Sequence, residues 1–78
     1  MNCIIVDDEL LARQEMQALI NDVSDIEILG MFSNAPSALK FLETNSVDVI
    51  FLDIEMPMVT GLEFAAQLPK DTLVIFTT

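Results

Sequence analysis

Short apolar runs of strand character alternate with segments of helical period throughout this chain of 78 residues. Four strands are predicted, over residues 3–6, 26–32, 47–52 and 73–76. The first and third are nearly continuous apolar runs, which is typical of strands that are buried on both faces. Since a segment of helical period separates each strand from the next, the order β-α-β-α-β-α-β favours a parallel sheet with helices on both faces.

Three helices are predicted in the intervening segments. The first begins near Glu9 and places five apolar residues at helical spacing, namely Ala12, Met16, Leu19, Ile20 and Val23. Asn34 is a suitable N-cap for the second helix, and Pro36 is tolerated in its first turn because the missing N–H would be unpaired there. The segment from Thr60 to Glu63 has the spacing of a capping box and predicts the third helix.

Acidic residues directly follow two of the predicted strands. Asp7 and Asp8 come after the first strand, and Asp53 comes after the third. In an open parallel sheet, ligands bind outside the carboxyl ends of the strands, where the connections diverge to opposite faces. If the first and third strands are neighbours, the three carboxylates converge at that edge.

Three converging carboxylates require a compensating partner. A pair of like charges at about 4 Å costs about 4 kcal/mol at an effective dielectric constant of about 20, so either one carboxylate retains a proton or a cation is bound. Oxygen ligands in a chain without histidine favour Mg²⁺ over zinc and indicate phosphoryl chemistry. A purely structural alternative is that Asp8 caps the first helix while Asp53 lies in a solvated loop.

The composition argues against several other classes of function. The net charge is −10, and the only basic residues are Arg13, Lys40 and Lys70. Such a surface repels nucleic-acid phosphates, so no direct binding of nucleic acid is expected from this segment. Cys3 is the only cysteine and is expected to be a buried thiol. Without a signal peptide or an apolar stretch of about 20 residues, a cytoplasmic chain that does not enter the membrane is expected.

The residues around the acids carry a resemblance to a known family. Residues 4–9 (IIVDDE) and 49–57 (VIFLDIEMP), followed by Gly61, resemble the receiver domain of two-component response regulators. Residues 9–13 (ELLAR) and 61–64 (GLEF) are most similar to receivers of LytTR-type transcription regulators. The resemblance covers the whole chain. It implies a flavodoxin-like (CheY-like) doubly wound parallel sheet with strand order 2-1-3-4.

The resemblance also implies a role for each matching acid. Asp53 would be the phosphoacceptor. Asp7 and Asp8 would bind Mg²⁺ together with Asp53, and the main-chain carbonyl of Glu55 would complete the protein ligands. Thr78 matches the family's switch hydroxyl, which moves to hydrogen-bond the phosphoryl oxygen.

Three further residues match the family's pocket loop. They are Met56, Pro57 and Gly61, and they are also ordinary turn-forming positions. The family has a fifth strand with an invariant lysine and two more helices, so residues 1–78 are expected to be the N-terminal, incomplete part of a receiver domain. Lys70 is no substitute for that lysine, because it precedes the fourth strand and lies at the opposite end of the sheet.

The resemblance implies that a sensor histidine kinase is the partner and that the output is transcriptional, through a DNA-binding domain outside this segment. The domain would be regulatory, promoting only its own phosphorylation and dephosphorylation. One alternative is a pairing module that associates with another copy, or with the missing half, through the open edge of the fourth strand. Another is a Mg²⁺ phosphatase that uses an aspartyl-phosphate, although residues 53–55 (DIE) only poorly approximate a D-x-D motif.

Overall fold

The structure is a computed structural model, which describes residues 1–54 and 61–77, with residues 61 and 62 described by their backbone alone. In chain order the elements are β1 (Asn2–Val6), α1 (Leu10–Val23), β2 (Glu27–Phe32), α2 (Ala35–Thr44), β3 (Val49–Asp53), α3 (Gly61–Ala65) and β4 (Leu73–Thr77). The strands form one parallel sheet in the order β2-β1-β3-β4. The predicted doubly wound order 2-1-3-4 is therefore confirmed.

The core lies on both faces of the two central strands, β1 and β3. Because alternate side chains of a strand point to opposite faces, the buried apolar residues divide into two clusters. The cluster between the sheet and helices α2 and α3 consists of Ile4, Val6, Ala35, Ala38, Val47, Ile50, Leu52 and Phe64. The cluster between the sheet and α1 consists of Cys3, Ile5, Ile20 and Val49. The predicted burial of Cys3 is confirmed, and that burial raises the pKa of its thiol.

The start of α2 follows from local sequence, whereas the start of α1 does not. The side chain of Asn34 accepts a hydrogen bond from the main-chain N–H of Ser37 at 2.8 Å, and Pro36 lies in the first turn of the helix. The N-cap of α1 is Glu9, and it makes no side-chain capping hydrogen bond. Asp8 therefore does not cap α1, and the structural alternative for this residue is wrong.

The apolar stripe predicted for α1 is too wide. Ile20 is buried and Ala12 and Met16 are half-buried, but Leu19 is 54 % and Val23 71 % exposed. Adjacent helical residues differ in direction by about 100°, so Leu19 turns away from the sheet when Ile20 packs against it. Within the described part of the chain, α1 is the only helix on this face, and no second helix covers its flank.

The fourth strand forms one edge of the sheet. Its side chains Leu73, Ile75 and Phe76 are 59 %, 40 % and 40 % exposed. The other edge, β2, begins with the charged residue Glu27. Across residues 1–54 and 61–77, none of the helices has the length and apolar character needed to cross a membrane.

Candidate metal centre

The acidic residues come together because β1 and β3 are hydrogen-bonded neighbours. Their parallel pairing runs from Cys3 opposite Val49 to Val6 opposite Leu52. Asp7 directly follows β1 and Asp53 is the last residue of β3, so the two aspartates lie side by side at the carboxyl edge of the sheet. β1 and β3 are therefore neighbours, as the predicted convergence of the carboxylates requires.

One carboxylate oxygen from each of Asp7, Asp8 and Asp53 lies within 4.8 Å of the other two. Asp7 and Asp53 are half-buried, and Asp8 is exposed. An octahedral Mg²⁺ with ligands at about 2.1 Å holds neighbouring oxygens about 3 Å apart and opposite oxygens about 4.2 Å apart. Oxygens that lie within 4.8 Å of one another are close to this spacing, so Asp7, Asp8 and Asp53 could hold one such ion between them. Oxygen donors alone, without histidine or thiolate, match the preference of Mg²⁺.

The two adjacent aspartates require a sharp change of chain direction. In an extended strand, neighbouring side chains point to opposite faces of the sheet, so Asp7 and Asp8 can share a site only if the chain bends between them. Asp7 ends the extended part, with its main-chain N–H donating to the Phe32 carbonyl at 3.0 Å. One oxygen of its carboxylate, Oδ1, accepts from the Glu9 N–H at 3.0 Å. That leaves the second oxygen available to a cation.

Sequence reasoning missed Arg13, which contacts this bend directly. Its guanidinium Nη1 donates to the main-chain carbonyl of Asp7 at 2.7 Å, in a partly buried position. A signal for this contact was present in the sequence. Helical side chains lean toward the N-terminus of their helix, and Arg13 lies one turn after the N-cap Glu9. An arginine at this position is therefore directed toward the loop that precedes α1.

The end of β4 adjoins the same edge. Thr77 is opposite Asp53 in the β3–β4 pairing, and the Ile54 N–H donates to the Thr77 carbonyl at 3.3 Å. A cavity of about 220 Å³ opens beside Asp7, between α1 and the ends of β1 and β4, and Thr77 contributes to its lining.

Only one of the remaining predicted site residues lies within the described part of the chain. Glu55, Met56, Pro57 and Thr78 lie outside the described residues, so their roles stay predictions. Gly61 is described as the first residue of α3. The fold brings Asp7, Asp8 and Asp53 together.

This doubly wound parallel sheet, with three carboxylates at its carboxyl edge, is the arrangement that the resemblance to receiver domains implies, and comparison with known families agrees. Residues 3–78 match the profile of the response regulator receiver domain. The chain belongs to that family, and it is accordingly a regulatory domain of the two-component type.

Among curated relatives, the chain is 44 % identical over 80 residues to an uncharacterized response regulatory protein of Shewanella oneidensis, covering 100 % of this chain and 34 % of the relative. It is 43 % identical over 81 residues to the transcriptional regulatory protein YpdB of Escherichia coli, covering 100 % of this chain and 33 % of the relative. The chain thus spans about a third of the length of these relatives.

Solved structures show the same fold. The crystal structure of the response regulatory domain of MrkE from Klebsiella pneumoniae matches with a TM-score of 0.87 and 44 % identity, over 97 % of this chain and 65 % of that one. A chain in the crystal structure of histidine kinase ThkA in complex with response regulator protein TrrA matches with a TM-score of 0.81 and 32 % identity, over 96 % of this chain and 66 % of that one.

Proposed function

We propose that Asp53 accepts a phosphoryl group from a sensor histidine kinase while Asp7, Asp8 and Asp53 hold a Mg²⁺ ion. The observation that carries this proposal is the meeting of three carboxylates from two adjacent central strands within 4.8 Å. The chain's net charge is −10, so no general excess of basic side chains offsets the negative charge of this cluster. Asp7, Asp8 and Asp53 would be relieved of their mutual repulsion on holding a divalent ion, and the site would then be able to accept an anionic substrate.

The chain's own residues supply a nucleophile and its position. A carboxylate oxygen of Asp53 attacks the phosphorus of a phosphohistidine, the P–N bond breaks, and the imidazole leaves with the electron pair. An ionised carboxylate needs no general base, so positioning and charge neutralisation are the main requirements. Mg²⁺, when bound, neutralises charge on the phosphoryl oxygens and on the carboxylates. β3 contributes rigidity, because its residues Ile50 and Leu52 are fully buried.

The product places an acyl phosphate beside Asp7 and Asp8 and adds negative charge to the site. We propose that nearby hydrogen-bond donors move inward in response, and that the hydroxyl of Thr78 is the switch donor. The main-chain carbonyl of Glu55 would be a further metal ligand. Met56, Pro57 and Gly61 would shape the pocket around them. Such a shift of donors toward new charge is a local change that a second domain can detect.

The proposals for the partner and the output are supported by relatives rather than by the site itself. The ThkA–TrrA complex pairs a histidine kinase with a response regulator, and we propose a partner of the same kind for this chain. YpdB is a transcriptional regulatory protein and about three times as long as the matched segment. We propose a transcriptional output of the LytTR type, carried by a DNA-binding domain, with residues 1–78 serving as the N-terminal part of the receiver.

A phosphodonor experiment tests the central claim. The intact protein is incubated with acetyl phosphate and Mg²⁺, and its mass is then measured. We expect one acid-stable, hydroxylamine-sensitive phosphoryl adduct that requires Mg²⁺ and is lost in Asp53→Asn. Asp71→Asn is the matched control, because Asp71 is an exposed acid in the turn before β4. No adduct on the intact protein, or an adduct that persists in Asp53→Asn, would reject the assignment.

A second candidate function rests on β4. This edge strand (LVIFT) has no charged residue, and exposed apolar edges of this kind tend to pair with other strands. We propose that the 78-residue chain by itself pairs with a second copy through β4. Sedimentation analysis should show dimers that Ile75→Lys abolishes. A monomeric wild-type chain at the same concentration would exclude this candidate. No described contact favours the phosphatase alternative.

A further inference from the structure

The bend at Asp7 and Asp8 determines whether the carboxylates of these two residues can share one site. β1 is buried and paired on both sides up to Val6, but Asp8 is exposed. The two aspartates face one site only because the chain leaves the extended conformation there. Any group that holds this bend before the cation arrives lowers the cost of assembling the site.

Arg13 is placed to hold it. At the end of β1 the Asp7 carbonyl needs a donor, and the Arg13 guanidinium supplies one at 2.7 Å. The main-chain N–H of Arg13 donates to the Glu9 carbonyl at 3.1 Å, within the first turn of α1. Glu9 in turn donates its N–H to Asp7 Oδ1 at 3.0 Å. These three hydrogen bonds join Asp7, Glu9 and Arg13 to one another and so connect the first turn of α1 to the bend.

We infer that Arg13 is a positioning residue for the metal centre, holding the Asp7 carbonyl so that the carboxylates of Asp7 and Asp8 face Asp53. The inference rests on the proposed function, since it assigns Arg13 a part in binding the same Mg²⁺ ion. Arg13 touches the main chain of Asp7, and its contribution is therefore to the arrangement of the ligands before the ion binds.

The direction of the effect distinguishes positioning from electrostatics. A guanidinium close to the site repels Mg²⁺, so removing its charge alone would strengthen binding. If Arg13 positions the ligands, removing it weakens binding despite the more favourable charge. The two explanations thus predict opposite changes in the Mg²⁺ dissociation constant.

The test measures Mg²⁺ binding to the intact protein by isothermal titration calorimetry. Arg13→Met removes the donors and keeps much of the apolar stem. Lys40→Met is the matched control, because it removes one positive charge from an exposed position on α2. We expect the dissociation constant to rise about 10-fold in R13M, a size typical of groups that orient metal ligands. It should change by less than about twofold in K40M, where the charge is remote and screened. Arg13→Lys should restore part of the affinity.

A second measurement does not depend on metal. In the metal-free protein, amide hydrogen exchange reports the Glu9 N–H, which is bonded to Asp7 Oδ1. In R13M this amide should exchange faster, while the amides of β1 keep their protection, because only the bend is released. If R13M does not fold, Arg13→Gln provides the same comparison.

The outcomes separate this inference from the proposed function. Wild-type protein that takes up no Mg²⁺ rejects the proposed function and the inference with it. Wild-type protein that binds Mg²⁺, with R13M or R13Q binding as tightly or more tightly, rejects the role of Arg13 alone. Weaker binding in these variants, with unchanged affinity in K40M and faster exchange confined to the bend, supports it.

Discussion

Asn2 and Asp48 each accept a hydrogen bond from the other's main-chain N–H, at 2.9 Å for the Asn2 N–H and 2.8 Å for the Asp48 N–H. The Asp48 carbonyl also accepts from the Leu73 N–H at 2.9 Å. Asp48 therefore connects the starts of three strands at the edge of the sheet opposite the acidic cluster. A slip of one residue would move every side chain of a strand to the other face, and this pair opposes such a slip where the β1–β3 pairing begins.

Removing the Asp48 carboxylate should destabilise the fold. Asp48→Ala deletes the acceptor of the Asn2 N–H, and we expect a loss of about 1 kcal/mol, typical of one hydrogen bond. Asp48→Asn keeps an acceptor oxygen and should retain most of that stability. Ser46→Ala is the control, because Ser46 contributes only its main-chain carbonyl to Asn2. Urea unfolding followed by circular dichroism is suitable, since the chain has no tryptophan or tyrosine. Equal stabilities of Asp48→Ala and wild type would contradict this role.

Neutralising Asp8 should have opposite effects with and without magnesium. In metal-free buffer, Asp8→Asn relieves repulsion among the three carboxylates and should stabilise the fold by roughly 0.5 kcal/mol, as for an exposed charge pair. With Mg²⁺ at about 100 times its dissociation constant, the wild type should gain about 2.7 kcal/mol. Asp8→Asn should gain less, because it has lost one ligand.

The control for this prediction is Asp22→Asn, which removes an exposed acid from the last turn of α1. It should respond to Mg²⁺ as the wild type does. Thermal unfolding with EDTA or Mg²⁺ provides the comparison. If Mg²⁺ stabilises both variants equally, Asp8 is not a ligand.

Phe64 should be essential for attaching α3 to the sheet. It is fully buried in the cluster under α2 and α3, although α3 has only five residues. Phe64→Ala is expected to cost about 3–5 kcal/mol, a large part of the stability of a domain of this size. Phe76→Ala removes the same side chain from a position that is 40 % exposed and should cost less than half as much. Similar urea midpoints for the two variants would contradict this account of the core.

Stability should fall at alkaline pH because of Cys3. Burial raises the pKa of its thiol in the folded state, so the folded protein keeps a proton that the unfolded chain has already released. The contribution is complete below the pKa of the unfolded thiol and is lost as the pH rises toward that of the folded thiol. The stability of the wild type relative to Cys3→Ala should therefore decline above about pH 8.5. A constant difference across the alkaline range would rule this out.

Much of the fold could be predicted from the sequence because the relevant signals are local. The continuous apolar runs identified β1 and β3 as buried strands, and the spacing of Asn34 and Pro36 identified the start of α2. Asp7 directly follows one buried run and Asp53 ends another, so both were placed at the carboxyl edge, and the family resemblance supplied the strand order that makes them neighbours. These features depend on residues a few positions apart.

Contacts between elements were decided only by the tertiary structure. Leu19 has the same helical spacing as its buried neighbours on α1, yet the rotation of the helix against the sheet leaves it exposed. The Arg13 guanidinium meets the Asp7 carbonyl, and Asn2 meets Asp48 across 46 positions of the chain. Helix rotation and strand register are set by packing across the whole core, so no local period encodes them.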